Sequence, residues 1–229
     1  MERVSFITIA ALVAFSGSIN GQVCAGFASF ATRPLRVSGS AGFNDNAKSF
    51  SGGFGFGGQA GFGEVTLGTA SSDDFDGSSF LYGGGAGYDV GLGEKGLFHL
   101  CPKASLEFAS GPNNVDIFGS GSLFVDLSET DFSFGVGLGL LGSQSNQTQI
   151  IPNVSLNIVT STLKAHDDVS GFSDSNRETF GLLGLGLGFV FNEAVSLHPS
   201  VSIPFSLDNA STTFGVTLGV NFGGKPRTQ

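Results

Sequence analysis

The chain has 229 residues, of which 37 are Gly and 24 Phe, with no Trp and two Tyr. Charged residues make up 13% (10 basic, 19 acidic, net charge -9), hydrophobic residues 40%, and mean hydropathy is +0.22. This excludes a disordered chain and a collagen repeat, leaves too thin a charged skin for an ordinary soluble domain, and offers no basic stripe for nucleic acid.

Met1-Glu2-Arg3 carries one basic side chain ahead of an apolar run from Val4 to Phe15, and small residues follow at Ser16, Gly17 and Ser18. This pattern predicts a secretory signal peptide over residues 1–21, cleaved near Ser18 or Gly21. The run is shorter than the ~20 residues a spanning helix needs. The alternatives are a retained N-terminal helix and lipid attachment at Cys24, for which Gly21-Gln22-Val23 is a poor box. Residues 22–34 then form a tail. No later stretch is long and apolar enough to be a membrane helix; the best, Phe180 to Phe191, holds four glycines.

From residue 35 onward the period is two, the signature of strands with two unlike faces. Leu35 to Asn44 sets Val37, Ala41 and Phe43 against Ser38, Ser40 and Gly42. Phe50 to Gly57 sets Phe50, Phe54 and Phe56 against Ser51, Gly53 and Gly55. Ala60 to Thr69 has Val65 and Leu67 opposite Glu64 and Thr66, with Phe62 out of phase. Ser79 to Val90, Phe98 to Phe108 and Phe132 to Leu140 follow. The last of these is the plainest: Phe132, Phe134, Val136, Leu138 and Leu140 against Ser133 and three glycines. Gln149 to Thr160, Thr179 to Phe191, Ala194 to Phe205 and Phe214 to Phe222 complete ten strands. Short turns near 57–59, 91–95, 142–147 and 192–193 alternate with longer polar loops near 71–77, 111–119 and 164–177 and shorter ones at 44–48 and 208–211.

That alternation predicts a closed antiparallel up-and-down barrel over residues 35–222. Ten strands are expected; eight is the alternative if the weak pair near 35–57 fails to join. A soluble barrel would turn its greasy face inward and wet the other face with charges. Here the second face is Gly and Ser, whereas the first is Phe and Leu. Bulk outside and small residues inside suit a narrow barrel in lipid, where closure pairs every backbone group. A lipid belt is therefore expected from Phe54, Phe56, Leu106, Phe134, Leu138, Leu185, Leu187, Val216 and Leu218. A secreted soluble β-domain is the alternative.

The signal peptide, even strand count, loop asymmetry and aromatic last strand ending at Phe222 resemble small bacterial outer-membrane β-barrel proteins of the OmpA/OmpX-like and opacity-like kind. The resemblance covers residues 35–222. It implies residence in the outer membrane with lipid as the surrounding partner, a monomer, both termini on the periplasmic side and the 164–177 loop outside. Two features depart from the pattern. Residues 223–229 continue past the terminal aromatic, and Phe must stand in for the usual Trp/Tyr girdle.

Two cysteines in an exported chain suggest a disulfide. Cys24 lies in the tail and Cys101 early in the fifth strand on its polar face, so both belong at the periplasmic end. The alternative is two free thiols or an intermolecular link. Glu64, His99, Lys103, Glu107 and His198 are expected to point into the lumen, with Lys103 paired to Glu107 or Glu64. A metal or acid–base site there is the sharper reading, charge-balanced packing the plainer one. Acidic loops at Asp73–Gly77 and His166–Asp168 lack full calcium-loop spacing, and no G-x-S-x-G or H-E-x-x-H pattern occurs. No catalytic residue, metal or cofactor is assigned. The expected function is non-enzymatic, structural or surface-interacting, with acidic loops outward and an unidentified extracellular ligand as partner. The alternatives are a narrow passive channel and, behind it, a barrel enzyme.

Overall fold

The structure is a computed structural model that describes residues 23–73, 77–93, 97–112, 115–116, 124–142, 144–145, 147–167, 171–206 and 210–224. The proposed signal peptide and residues 225–229 lie outside the described residues, as do parts of both acidic loops.

Ten long strands follow one another: β1 (Leu35–Phe43), β2 (Ala47–Gly57), β3 (Gly61–Ser72), β4 (Ser78–Tyr88), β5 (Phe98–Ser110), β6 (Phe124–Leu140), β7 (Thr148–Asp167), β8 (Phe172–Phe191), β9 (Val195–Phe205) and β10 (Thr213–Phe222). Each pairs antiparallel with the next. The circuit closes where β1 meets β10, with Leu35 opposite Phe222 and Phe43 opposite Phe214. Across that seam the Ser40 and Thr217 hydroxyls share a hydrogen bond of 2.9 Å. The weak first pair therefore joins, and the count is ten.

Strand alternation decides what each face meets. All nine residues of the expected belt are outward, 37–57% exposed. In water such a surface would aggregate; in lipid it is the solvent-matched face. Along β10 the outward run from Phe214 to Phe222 covers about 27 Å of strand at ~3.4 Å per residue, close to the apolar band of a membrane barrel once strand tilt is included. Aromatics mark both edges. Phe43, Phe50, Phe80, Tyr82, Phe132, Phe205 and Phe214 stand near the loop end; Phe56, Tyr88, Phe98, Phe191 and Phe222 stand near the turn end. Phe thus fills the girdle where Trp is absent.

Two expectations need correction. The segment 164–177 is not an open loop. β7 runs to Asp167 and β8 starts at Phe172, paired residue for residue from Asp167↔Phe172 to Thr160↔Thr179. Polar residues there hid a strand because the outward face has left the apolar layer: Thr160, Thr162, Lys164 and His166 follow Ile158 in phase. β6 likewise begins at Phe124, eight residues before its apolar run. Together β6, β7 and β8 raise one side of the barrel above its loop-end girdle.

Candidate functional site

The lumen is the site to examine, because the outward face is lipid-matched and carries no chemistry. Residues 23–34, the tail ahead of β1, enter it from the turn end. Val23–Ala25 form one 3-10 turn. Gly26 follows at φ +77°, a left-handed conformation that favours glycine, and its N–H donates to the Val23 carbonyl at 3.0 Å. Phe27 and Phe30 are 0% and 1% exposed. The segment is a plug in the turn-end half of the barrel.

The glycine faces of the strands make the room. A Cβ on Gly137 would sit 3.0 Å from the Cys24 carbonyl oxygen; one on Gly139 would collide with the Val23 carbonyl, and one on Gly188 with the Gly26 carbonyl. On β2, a Cβ at Gly55 or Gly57 would meet the Phe30 ring at 3.1 or 2.7 Å. Small lumen residues are therefore not mere filler for a narrow barrel. They form the bed in which the tail lies.

Four kinds of attachment hold the plug. Cys24 and Cys101 form a disulfide with Cα atoms 6.0 Å apart, inside the normal range, and it packs with Phe30 and Phe62. Phe62 broke the outward phase of β3 because its ring belongs to this inner cluster. Val23 and Ala28 pack on Ile151 and Val190. The Ala28 N–H donates to Ser196 Oγ at 3.2 Å, and Asn221 Nδ2 donates to the Ala28 carbonyl at 3.4 Å. Finally, the Arg36 guanidinium lies 4.6 Å from the centroids of both Phe27 and Phe30. This cation between two ring faces is fully buried, and desolvation strengthens such pairings. The Glu64 carboxylate attracts it and accepts a hydrogen bond from Ser38 Oγ at 3.0 Å.

Glu64, Glu107 and His198 are buried and His99 and Lys103 half-buried, and the five do not form one site. His99 pairs through Nδ1 with Asp89 Oδ1 at 2.6 Å near the turn end. The His198 ring packs at a tilt against Phe27, with centroids 5.1 Å apart, and its Nε2 faces Asn153 Nδ2 at 3.0 Å. Lys103 makes no ion pair with Glu107, Glu64 or any other described residue; Glu64 is drawn to Arg36 on its own side of the lumen. Glu107 stands nearer the loops, level with Asp131 in the β5–β6 register. There Ser161 Oγ donates to Glu129.

Cys24, Cys101 and Asp89 bring potential ligand atoms within 4.8 Å of one another. The two sulfurs are bonded to each other, so neither is the thiolate a metal needs.

Sequence reasoning missed Arg36, Glu129 and Asp131. Arg36 shares the phase of Ser38 and Ser40, and Glu129 and Asp131 that of Ser133, so parity alone places them inside. Phe27 and Phe30 carried no such signal, because they lie in no strand.

The closed circuit, outward apolar belt and polar, plugged lumen define the class: a small membrane-spanning β-barrel of the outer-membrane type. No protein-family model and no curated protein sequence matches the chain. Solved barrels do align with it. The N-terminal β-barrel domain of Pseudomonas aeruginosa OprF does so at 14% identity, over 83% of this chain and 98% of that one, TM-score 0.36. The KdgM porin, in complex with disordered oligogalacturonate, aligns at 8% identity over 82% and 99%, TM-score 0.42. Ail, the attachment invasion locus protein of Yersinia pestis, in complex with a heparin analogue, aligns at 11% identity over 83% and 95%, TM-score 0.41.

Proposed function

We propose that this chain is a monomeric, non-enzymatic protein of the bacterial outer membrane, closed to passive flow and working from its outer face. The observation that carries this reading is the plug: residues 23–34 occupy the turn-end lumen, with Phe27, Phe30 and Arg36 buried there. A passive channel needs that space empty. Closure leaves no free strand edge to recruit a second copy. The raised β6–β8 wall then supplies the surface for an extracellular ligand, with Lys164, Ser175 and Arg177 exposed on it. Termini and short turns lie in the periplasm, and the raised wall lies outside.

Planar-bilayer recording tests the closed lumen. The wild-type barrel is expected to be silent, and a variant lacking residues 23–34 to conduct. Steady wild-type conductance would favour the channel reading instead. Orientation is tested separately by Ser175→Cys, which a membrane-impermeant maleimide should label on intact cells.

A further inference from the structure

Just loopward of the plug the lumen keeps a cavity of about 50 Å³. A site needs ~10–15 Å³ by this measure to hold one water, so the space suits a halide ion with a water or two. Its polar lining is Lys103, Asn153, Ser155, His198, Ser200 and Ser202, and no carboxylate lines it.

The donors outnumber the acceptors. Asn153 Nδ2 lies 3.3 Å from the Ile151 carbonyl as well as 3.0 Å from His198 Nε2. An amide nitrogen that donates to both makes Nε2 the acceptor, which places the imidazole proton on Nδ1. His198 Nδ1 is buried and has no hydrogen-bond partner. Lys103 brings an ammonium with no ion pair among the described residues. A buried donor left unpaired is costly, and a half-buried ammonium without a counter-charge favours an anion beside it. Three hydroxyls can turn their protons toward whatever sits between them.

We propose that this cavity binds a small monovalent anion of halide size, held by the Lys103 ammonium and donors from His198 and the serines. The ion supplies the counter-charge that the strands do not. Cys24 and Ala25 of the plug complete the cavity wall, so the inference rests on the plug being in place but not on whether the barrel conducts.

The test uses the full mature chain, folded in micelles, with bromide as probe. Crystals grown in bromide should show one anomalous peak within hydrogen-bonding distance of Lys103 Nζ. In solution, chloride NMR linewidths should show a saturable excess that bromide competes away. Lys103→Met should weaken that binding at least tenfold, whereas Lys103→Arg should retain it. If Lys103→Met does not fold, Ser200→Ala/Ser202→Ala serves as the second variant and should weaken binding several-fold. A cavity holding only water in bromide-grown crystals would overturn the proposal, as would binding unchanged in every folded variant.

Discussion

The two halves of the lumen are narrowed by different means. Toward the loops the strands narrow it themselves: Leu81, Leu127, Leu163, Phe180 and Leu182 point inward and are buried, with Glu107, Glu129 and Asp131 among the buried polar groups. Toward the turns the facing positions are largely glycine, and the volume is taken by a segment that is not part of the barrel wall. The first arrangement is complete once the strands pair. The second needs a tail to enter, bond and stay. Barrel closure and lumen closure are therefore separable, and single substitutions should divide them.

The largest effect is expected from Gly188→Val. Its side chain would occupy the place of the Gly26 carbonyl, and neighbouring backbone cannot move aside cheaply. The plug should be expelled while the barrel still forms. Planar-bilayer recording should change from silence to discrete openings, and trypsin should cut at Arg33. Gly39→Val is the matched control, because a Cβ there meets nothing within 4 Å; it should stay silent and uncut.

Next in size is the double variant Cys24→Ser/Cys101→Ser, which should release a constraint spanning 77 positions, worth roughly 4 kcal/mol by chain entropy. That loss should fall on the plug and not on the barrel. Heat-modifiable migration in gels should be unchanged, while amide exchange across residues 23–30 accelerates.

Arg36→Ala follows. It removes the cation between Phe27 and Phe30 and leaves Glu64 without its attracting charge. A desolvated cation over an aromatic face is worth about 2 kcal/mol. Urea unfolding in lipid vesicles should show a loss of that order, and adding Glu64→Gln should recover part of it. No recovery in the Arg36/Glu64 double variant would mean that the ring stacking, not the charge, dominates. The smallest effect is expected from Ser196→Ala, which removes one hydrogen bond to the Ala28 N–H, about 1 kcal/mol. Faster exchange at Ala28 alone would be its mark.

The wall of this barrel was legible because strand geometry has a strict period. Phe134 and Leu138 alternate with Gly135 and Gly137, and in a closed sheet that parity can only mean outside and inside. The preferred count of ten, the belt and the inward Cys101 follow from the same rule. The rule falters where the outside medium changes. Beyond Ile158 the outward residues of β7 turn polar while Val159, Leu163 and Ala165 stay buried on its inner face, residues 173–178 of β8 are polar on both faces, and a paired hairpin reads like a loop. Phe62 shows the opposite failure: an apolar residue in the polar phase, explained only by Phe30 and the disulfide beside it.

Sequence alone determined the topology of the wall, up to a choice between eight and ten strands, because period-two patterning, turn spacing and an apolar outer face admit only a closed up-and-down barrel in lipid. Tertiary structure decided what the lumen holds. Nothing in residues 22–34 announces that Phe27 and Phe30 will close on Arg36, since that contact joins a segment without periodicity to a strand that is adjacent only after folding. Nor could spacing tell Lys103 which carboxylate it would meet. Glu64 faces Arg36 instead, and the ammonium is left toward a cavity, because partners in a barrel are chosen across the lumen and not along the chain.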